Sequence, residues 1–316
     1  MNNRLLKKLK ISYPIIQGGM GNISNAPLTA AISDAGGLGT IGCGTMEPAE
    51  VEKIILETKE RTNKPFAVNI AINVTPHTDA LIELVMKHEV PVVSLSAGNP
   101  APYIPTLQEN GIVVLAIVAT VKHAKKAEQA GADAVVAEGF EAAGINSNLE
   151  LTTFTLIPQI VDQVNIPVIA AGGIGDGRGL AAALMLGASG VQMGTRFIAT
   201  KEAPFHENYK NAILQATDTT TEIIGRSIGK TRRVIANEYA HKIKLAEEQG
   251  LTVEQFDQLT TEKQHIKGAI DGDFSEGFIN GGQVAGLIDS IPTVKQLMED
   301  MISTAQKQFQ HIQKFL

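Results

Sequence analysis

Residues 167–197 read PVIAAGGIGDGRGLAAALMLGASGVQMGTRF. A short β-rich run closes on Gly172-Gly173, a helix-like stretch follows, and a second β-rich run closes on Gln192-Met193-Gly194-Thr195. Strand, crossover helix and strand in so short a span form the unit of a parallel sheet. Six more β-rich runs precede it, at 14–20, 37–43, 66–72, 92–98, 113–118 and 134–139, which with 167–173 and 190–197 makes eight. Between them lie segments such as 48–61, 121–130 and 154–164, whose apolar residues fall three and four apart, as on one face of a helix. Eight such units match an α/β fold of the (β/α)8 TIM-barrel type better than a doubly wound sheet, which has five or six strands and one glycine fingerprint.

The pattern changes beyond Phe197. From about 219 to 267 the chain is polar and helix-rich, with no convincing strand run. The expected division is a barrel of residues 1–215 plus 275–316 and a small helical cap, 216–274, inserted after the eighth strand. The stretch 271–286 is again glycine-rich, and 292–315 reads as a terminal helix packing back on the barrel.

Composition removes several classes of function. The 316 residues are 44% apolar, enough for a large folded core, and 27 basic against 33 acidic residues leave a net charge of −6. No basic footprint exists for a nucleic-acid backbone. The single cysteine, Cys43, excludes an internal disulfide and cysteine clusters, and no metal centre is expected. The start, MNNRLLKKLKISYP, lacks the apolar run of a secretory signal, and no later apolar run approaches the roughly 20 residues of a membrane helix. A soluble, cytoplasmic protein is the expectation. Thirty glycines, 4% aromatics and no Trp point to a ligand site lined by backbone.

Barrels hold phosphate at the loops after strands seven and eight. Glycines at 172, 173 and 194 let backbone N–H groups approach the oxygens, Thr195 adds a hydroxyl, and helices starting near Asp176 and after Thr195 would add positive dipole ends. Glycines that merely end strands would look the same in one motif, but two motifs at consecutive strands favour phosphate. Gln17-Gly18-Gly19-Met20 ends the first strand and permits close approach of a flat ligand, or forms a tight turn with Met20 filling the core. Asn69 sits inside the apolar run Phe66-Ala67-Val68-Asn69-Ile70, where its amide must find either a ligand ring edge or a neighbouring strand. Glu138, Gly139 and Glu141 end the sixth strand at the same face, with helix capping the alternative for Glu141.

Together, Gln17 to Met20, Gly36-Gly37-Leu38-Gly39, Lys64 to Asn69, Ala97 to Pro100, Ala137-Glu138-Gly139, Ala170 to Ile174, Gln192 to Arg196 and Gly282 to Leu287 resemble the nitronate monooxygenase superfamily. Within it, the chain is most similar to the flavin-dependent enoyl-acyl-carrier-protein reductases. The resemblance implies an FMN-binding barrel with NADH or NADPH as donor. It carries FMN contacts onto Met20, Asn69, Glu138, Gly173, Gln192, Met193, Gly194 and Thr195, and sets Gln283 near the ring. Gly18, Gly19, Gly139 and Gly172 complete the expected site.

Two positions decide how far function can be carried. Monooxygenases of the superfamily usually have Gln where this chain has Glu138, and reductase-type members have Glu. Both usually carry His after the paired glycines of Glu-Ala-Gly-Gly-His, where this chain reads Glu141-Ala142-Ala143-Gly144-Ile145-Asn146. Ile145 cannot titrate, so abstraction of a proton beside a nitro group loses its base, whereas enoyl reduction can draw its proton elsewhere. The catalytic residue is therefore open, with Asn146, His77 and His206 as candidates. His88, His123, His241, His265 and His311 read as surface residues. Lys230, Arg232 and Arg233 form a short basic run, either a solvated face or a dock for an acidic carrier protein.

The expected activity is NAD(P)H-dependent reduction of an activated double bond, in a small molecule or on acyl carrier protein. Nitronate monooxygenation, quinone reduction and a non-catalytic flavin-binding module remain alternatives, and a homodimer is among the expected assemblies.

Overall fold

Successive side chains of a strand face opposite ways, and that alternation decides what fills a barrel. In the computed structural model, which describes residues 3–315, the eight barrel strands are Ile15–Gln17, Gly39–Gly42, Phe66–Ala71, Val92–Ser96, Val113–Val118, Ala134–Glu138, Val168–Ala171 and Gly190–Met193. Residues 1, 2 and 316, at the ends of the expected barrel segments, lie outside the described residues. The strands pair in parallel in the order one, eight, seven, six, five, four, three, two, and a parallel bridge between Ile16 and Leu38 joins the ends. The fold is the (β/α)8 barrel that the eight runs predict.

Ile16, Leu38, Ala67, Val92, Leu115, Val136 and Ile169 form one buried cluster, and residues one step along, such as Ile15, Val68, Val93, Val114 and Val135, belong to the larger cluster under the helices. Helix Arg4–Leu9 contributes Leu5 and Leu9 to the first cluster, each worth roughly 2 kcal/mol of burial. Asn3 starts this helix by accepting from the Leu5 and Leu6 N–H groups and ties it to the barrel by donating to the Ser189 carbonyl at 2.8 Å. The amino-terminal end of the barrel is thus stoppered. The opposite end, where the glycine turns lie, holds the cavity.

Helix Pro48–Arg61 begins with Pro48, and Glu50 accepts from the Glu47 N–H at 3.0 Å; it buries Val51, Ile55 and Thr58. The terminal helix Val294–Ile312 buries Leu297, Met298, Met301 and Ala305 on one face. It approaches helix Gly177–Met185 so closely that a Cβ on Gly177 would stand 2.4 Å from the Met301 carbonyl oxygen.

The region after the eighth strand departs from the strand-free cap expected. Helices Glu238–Glu248, Val253–Leu259 and Glu262–Ala269 are present, but Thr221–Ile224 and Arg232–Ile235 form an antiparallel pair. Arg232–Ile235 also pairs with Ile279–Asn280 and with Gly144–Ile145, the latter from the loop after the sixth barrel strand. Both partners come from outside residues 216–274, and Arg232 and Arg233 mask the strand's apolar character. Their guanidinium groups are buried against the rings of Phe278 and Phe140, at 5.0 and 4.8 Å. Ile224, Val234, Tyr239, Ala240, Ile243, Phe256 and Phe278 give the cap its own core. No helix among the described residues is long and apolar enough to cross a membrane.

Candidate active site

The carboxyl ends of the strands and the cap enclose a cavity of about 1030 Å³. It gathers Gly18, Gly19, Met20, Asn69, Glu138, Gly172, Gly173, Gln192, Met193, Gly194 and Thr195 from strands one, three, six, seven and eight. Gly18 donates its N–H to the Met193 carbonyl at 2.9 Å, so the first and eighth turns are adjacent. Gly172 and Gly173 have φ of +98° and +72°, a conformation that favours glycine. The N–H groups of Gly173, Gly194 and Thr195 donate to no protein acceptor among the described residues. A Cβ on Gly194 would meet nothing within 4 Å, so this turn borders open space. Thr195 Oγ1 accepts from the Gly282 N–H at 3.0 Å, which draws the returning glycine-rich segment against the eighth strand.

The dipole ends expected beside this wall are mostly spent or short. Asp176 caps helix Gly177–Met185 itself, accepting from the Arg178 and Gly179 N–H groups at 2.8 and 3.1 Å, and Thr195–Ile198 is a single turn. Free backbone N–H groups are therefore the donors that this wall offers.

Asn69 bonds the neighbouring strand and also lines the cavity. Its Nδ2 donates to Ser94 and Ser96 on the fourth strand, at 3.1–3.2 Å, while Oδ1 faces Gly19, where an added Cβ would stand 2.6 Å from it. Glu138 lines the cavity with no hydrogen-bonding partner among the described residues, and burial pushes its carboxyl up to about 7. Glu141 takes the capping role. Both of its carboxylate oxygens accept from the Thr153 N–H, at 3.0 and 2.9 Å, at the start of helix Thr153–Val161. Burial pushes the Cys43 thiol up to about 12, so it offers no ready nucleophile.

Several expected residues lie elsewhere. Gly139 is a packing glycine, since a Cβ there would stand 2.1 Å from Thr153 Oγ1. Gln283 is exposed and does not line the cavity; its neighbours Gly282 and Val284 do. His77 pairs with Glu47 at 3.2 Å, and His206 caps helix Glu207–Leu214 by accepting from the Asn208 N–H; neither lines the cavity. Ile145 and Asn146 do line it, but Asn146 Nδ2 is committed to the Ala142 and Gly144 carbonyls at 2.9 and 3.2 Å. The basic run is not a surface patch. Arg232 and Arg233 are buried, with Arg233 donating to the Phe140 carbonyl, and only Lys230 is exposed, paired with Asp257.

His265 reverses its surface reading: it is 3% exposed and lines the cavity beside Arg232, Glu262 and Asn280. The signal available in the sequence was a carboxylate and an imidazole three residues apart on a helix, Glu262 and His265, in line with the small Ala269.

A family model for nitronate monooxygenase matches residues 2–81 and 72–304. Among solved structures, FabK from Thermotoga maritima is 42% identical with a TM-score of 0.93, and the match covers 100% of both chains. A curated protein of Staphylococcus saprophyticus, described as a probable nitronate monooxygenase, is 38% identical over 77% of this chain and 81% of its own. A curated carboxyl-CoA dehydrogenase of Rhodococcus jostii, named for an octahydro-indene substrate, is 31% identical over 97% of this chain and 96% of its own.

Proposed function

The chain belongs to the nitronate monooxygenase family, in its FabK-like branch, and from that premise we propose that it is an FMN-dependent oxidoreductase drawing electrons from NADH or NADPH. Its substrate is an activated carbon–carbon double bond, that of a trans-2-enoyl thioester carried on acyl carrier protein. The likeness to FabK over all of both chains carries this reading.

The cavity fits the cofactor. Open space beside Gly194 and unpaired N–H groups at Gly173, Gly194 and Thr195 suit a phosphate, and these residues would hold it. Met20, Asn69, Glu138 and Gln192 would surround the ring system. When bound, FMN supplies hydride transfer. The protein's own part is orientation and exclusion of water. Near neutrality Glu138 keeps a large share of its proton, so its carboxyl can donate a hydrogen bond into the cavity as well as accept one. Ile145 gives the loop after the sixth strand an apolar face where a base would serve nitroalkane oxidation.

The visible spectrum of the purified protein tests the cofactor, and an anaerobic acceptor screen tests the reaction. Reduction by NADH or NADPH followed by rapid reoxidation with a short enoyl thioester is the expected result. Oxygen uptake driven by a nitronate, without enoyl-dependent reoxidation, would establish the second reading, which the name of the Staphylococcus saprophyticus relative favours.

A further inference from the structure

The cap brings to the cavity a set of polar side chains that hydride transfer alone does not require. His265, on helix Glu262–Ala269, lies stacked on Phe278, with ring centroids 5.3 Å apart and planes 8° from parallel, so its orientation is fixed. Its Nδ1 faces Glu262 Oε2 at 3.5 Å and its Nε2 faces Asn280 Nδ2 at 3.2 Å. An amide N–H donating to Nε2 leaves the ring proton on Nδ1, toward the carboxylate. Glu262 also accepts from the Asn22 N–H at 3.2 Å, which ties the cap to the loop after the first barrel strand. Burial works to raise the Glu262 carboxyl, but the hydrogen bond and charge of His265 and the Arg232 cation outweigh it and hold Glu262 below its ordinary range. An anion therefore stands behind the imidazole.

Asn280 supplies the second observation. Its Oδ1 is buried without a partner among the described residues. Rotating the amide by half a turn would bring Oδ1 to Nε2, where it could accept from a protonated ring. Asn280 can therefore serve His265 in both protonation states, as a group that gains and loses a proton requires. Its location matters as well. A Cβ on Gly144 would stand 3.8 Å from the Asn280 amide, and the next residue is Ile145, where resembling proteins carry their histidine. The cap thus supplies an imidazole to the part of the cavity that this loop leaves apolar.

We propose that His265, backed by Glu262 and served by the Asn280 amide, is the proton donor of this site. The assignment rests on the reduction reading above. Hydride delivers two electrons and a hydrogen to the β-carbon of the enoyl thioester, and the π pair moves onto the α-carbon and thioester oxygen. The imidazolium proton then joins the α-carbon. His265 is left neutral and recovers a proton from water, so each double bond consumes one hydride and one proton.

The test compares flavin-loaded wild type with His265→Gln. Both should carry the same chromophore content, and both reduced forms should be reoxidised equally by ferricyanide, which takes electrons without protonating carbon. Reoxidation by a short enoyl thioester should fall about 100-fold in the variant. In D2O the wild type should deuterate one face of the α-carbon and the variant both. In cofactor-free protein, nitrogen-15 shifts should place the neutral ring's proton on Nδ1, and Glu262→Gln should mix the two tautomers. Equal enoyl reoxidation and an unchanged deuterium face in His265→Gln would overturn the assignment alone. A wild type that ferricyanide reoxidises and enoyl thioesters do not would overturn the reduction reading and the assignment with it. If His265→Gln does not accumulate, Asn280→Ala takes its place, with a fall of about tenfold expected for the enoyl acceptor only; no fall overturns the assignment.

Discussion

The two walls of the cavity are built from different material. On the side of strands one, seven and eight the wall is largely backbone: Gly18, Gly19, Gly172, Gly173 and Gly194 line it, and the N–H groups of Gly173 and Gly194 meet no protein acceptor among the described residues. On the cap side it is side chains: Arg232, Glu262, His265 and Asn280, braced by the Phe278 ring. A backbone wall fails when atoms are added to it, whereas a side-chain wall fails when atoms are removed. The first suits a group common to a whole family, and the second can be rewritten by point substitution while the barrel stays as it is.

The largest effect is expected where that contrast is sharpest. Gly194→Glu adds bulk and negative charge at a position with φ of −114° and no atom within 4 Å of the new Cβ, so folding should be unaffected. Retention of the yellow chromophore should fall by about 100-fold, close to 3 kcal/mol, with an unchanged circular-dichroism melt. A variant that purifies yellow would break the contrast.

Glu138, at the end of the sixth strand, lines the same cavity and links stability to pH. Its carboxyl rises from an ordinary 4.5 to about 7, so between those values the folded state binds a proton that the unfolded state releases. Cofactor-free protein should therefore lose on the order of 2–3 kcal/mol as pH rises through that window. Urea unfolding at pH 4.5, 6 and 7.5 should show the slope in wild type and lose it in Glu138→Gln. A wild type with no such slope would mean that water in the cavity keeps the carboxylate solvated.

The smallest effect belongs to Glu141. Glu141→Ala removes the acceptor at the start of helix Thr153–Val161 and should cost about 1–2 kcal/mol in urea unfolding. A neutral result would move Glu141 from bracing the fold to serving the cavity.

The barrel was legible because each strand is a local apolar run ended by a glycine or small polar residue, and the observed strands fall inside the runs 14–20 to 190–197. The backbone wall was legible for the same reason: a glycine that must face a ligand is visible as a letter in a fixed place. The cap strands were hidden because their pairing is non-local. Arg232–Ile235 is a strand by virtue of Gly144–Ile145 and Ile279–Asn280, and two of its four residues are arginines whose burial depends on Phe278 and Phe140. His265 was hidden likewise, in a polar helix whose inward face is set by contacts with Phe278 and Asn280. Gln283 erred by one position: the segment returns to the cavity as expected, but Gly282 and Val284 face it.

The ladder between Gly144–Ile145 and Arg232–Ile235 stitches a barrel loop into the cap's sheet. A flap that swung on a hinge would have to unzip that seam, so the route by which any substrate threads inward must come from side chains stepping aside. For the same reason the molecule resists pruning: cutting away residues 216–274 would strip both Gly144–Ile145 and Ile279–Asn280, which share one edge of the lost strand, of the strand they pair with.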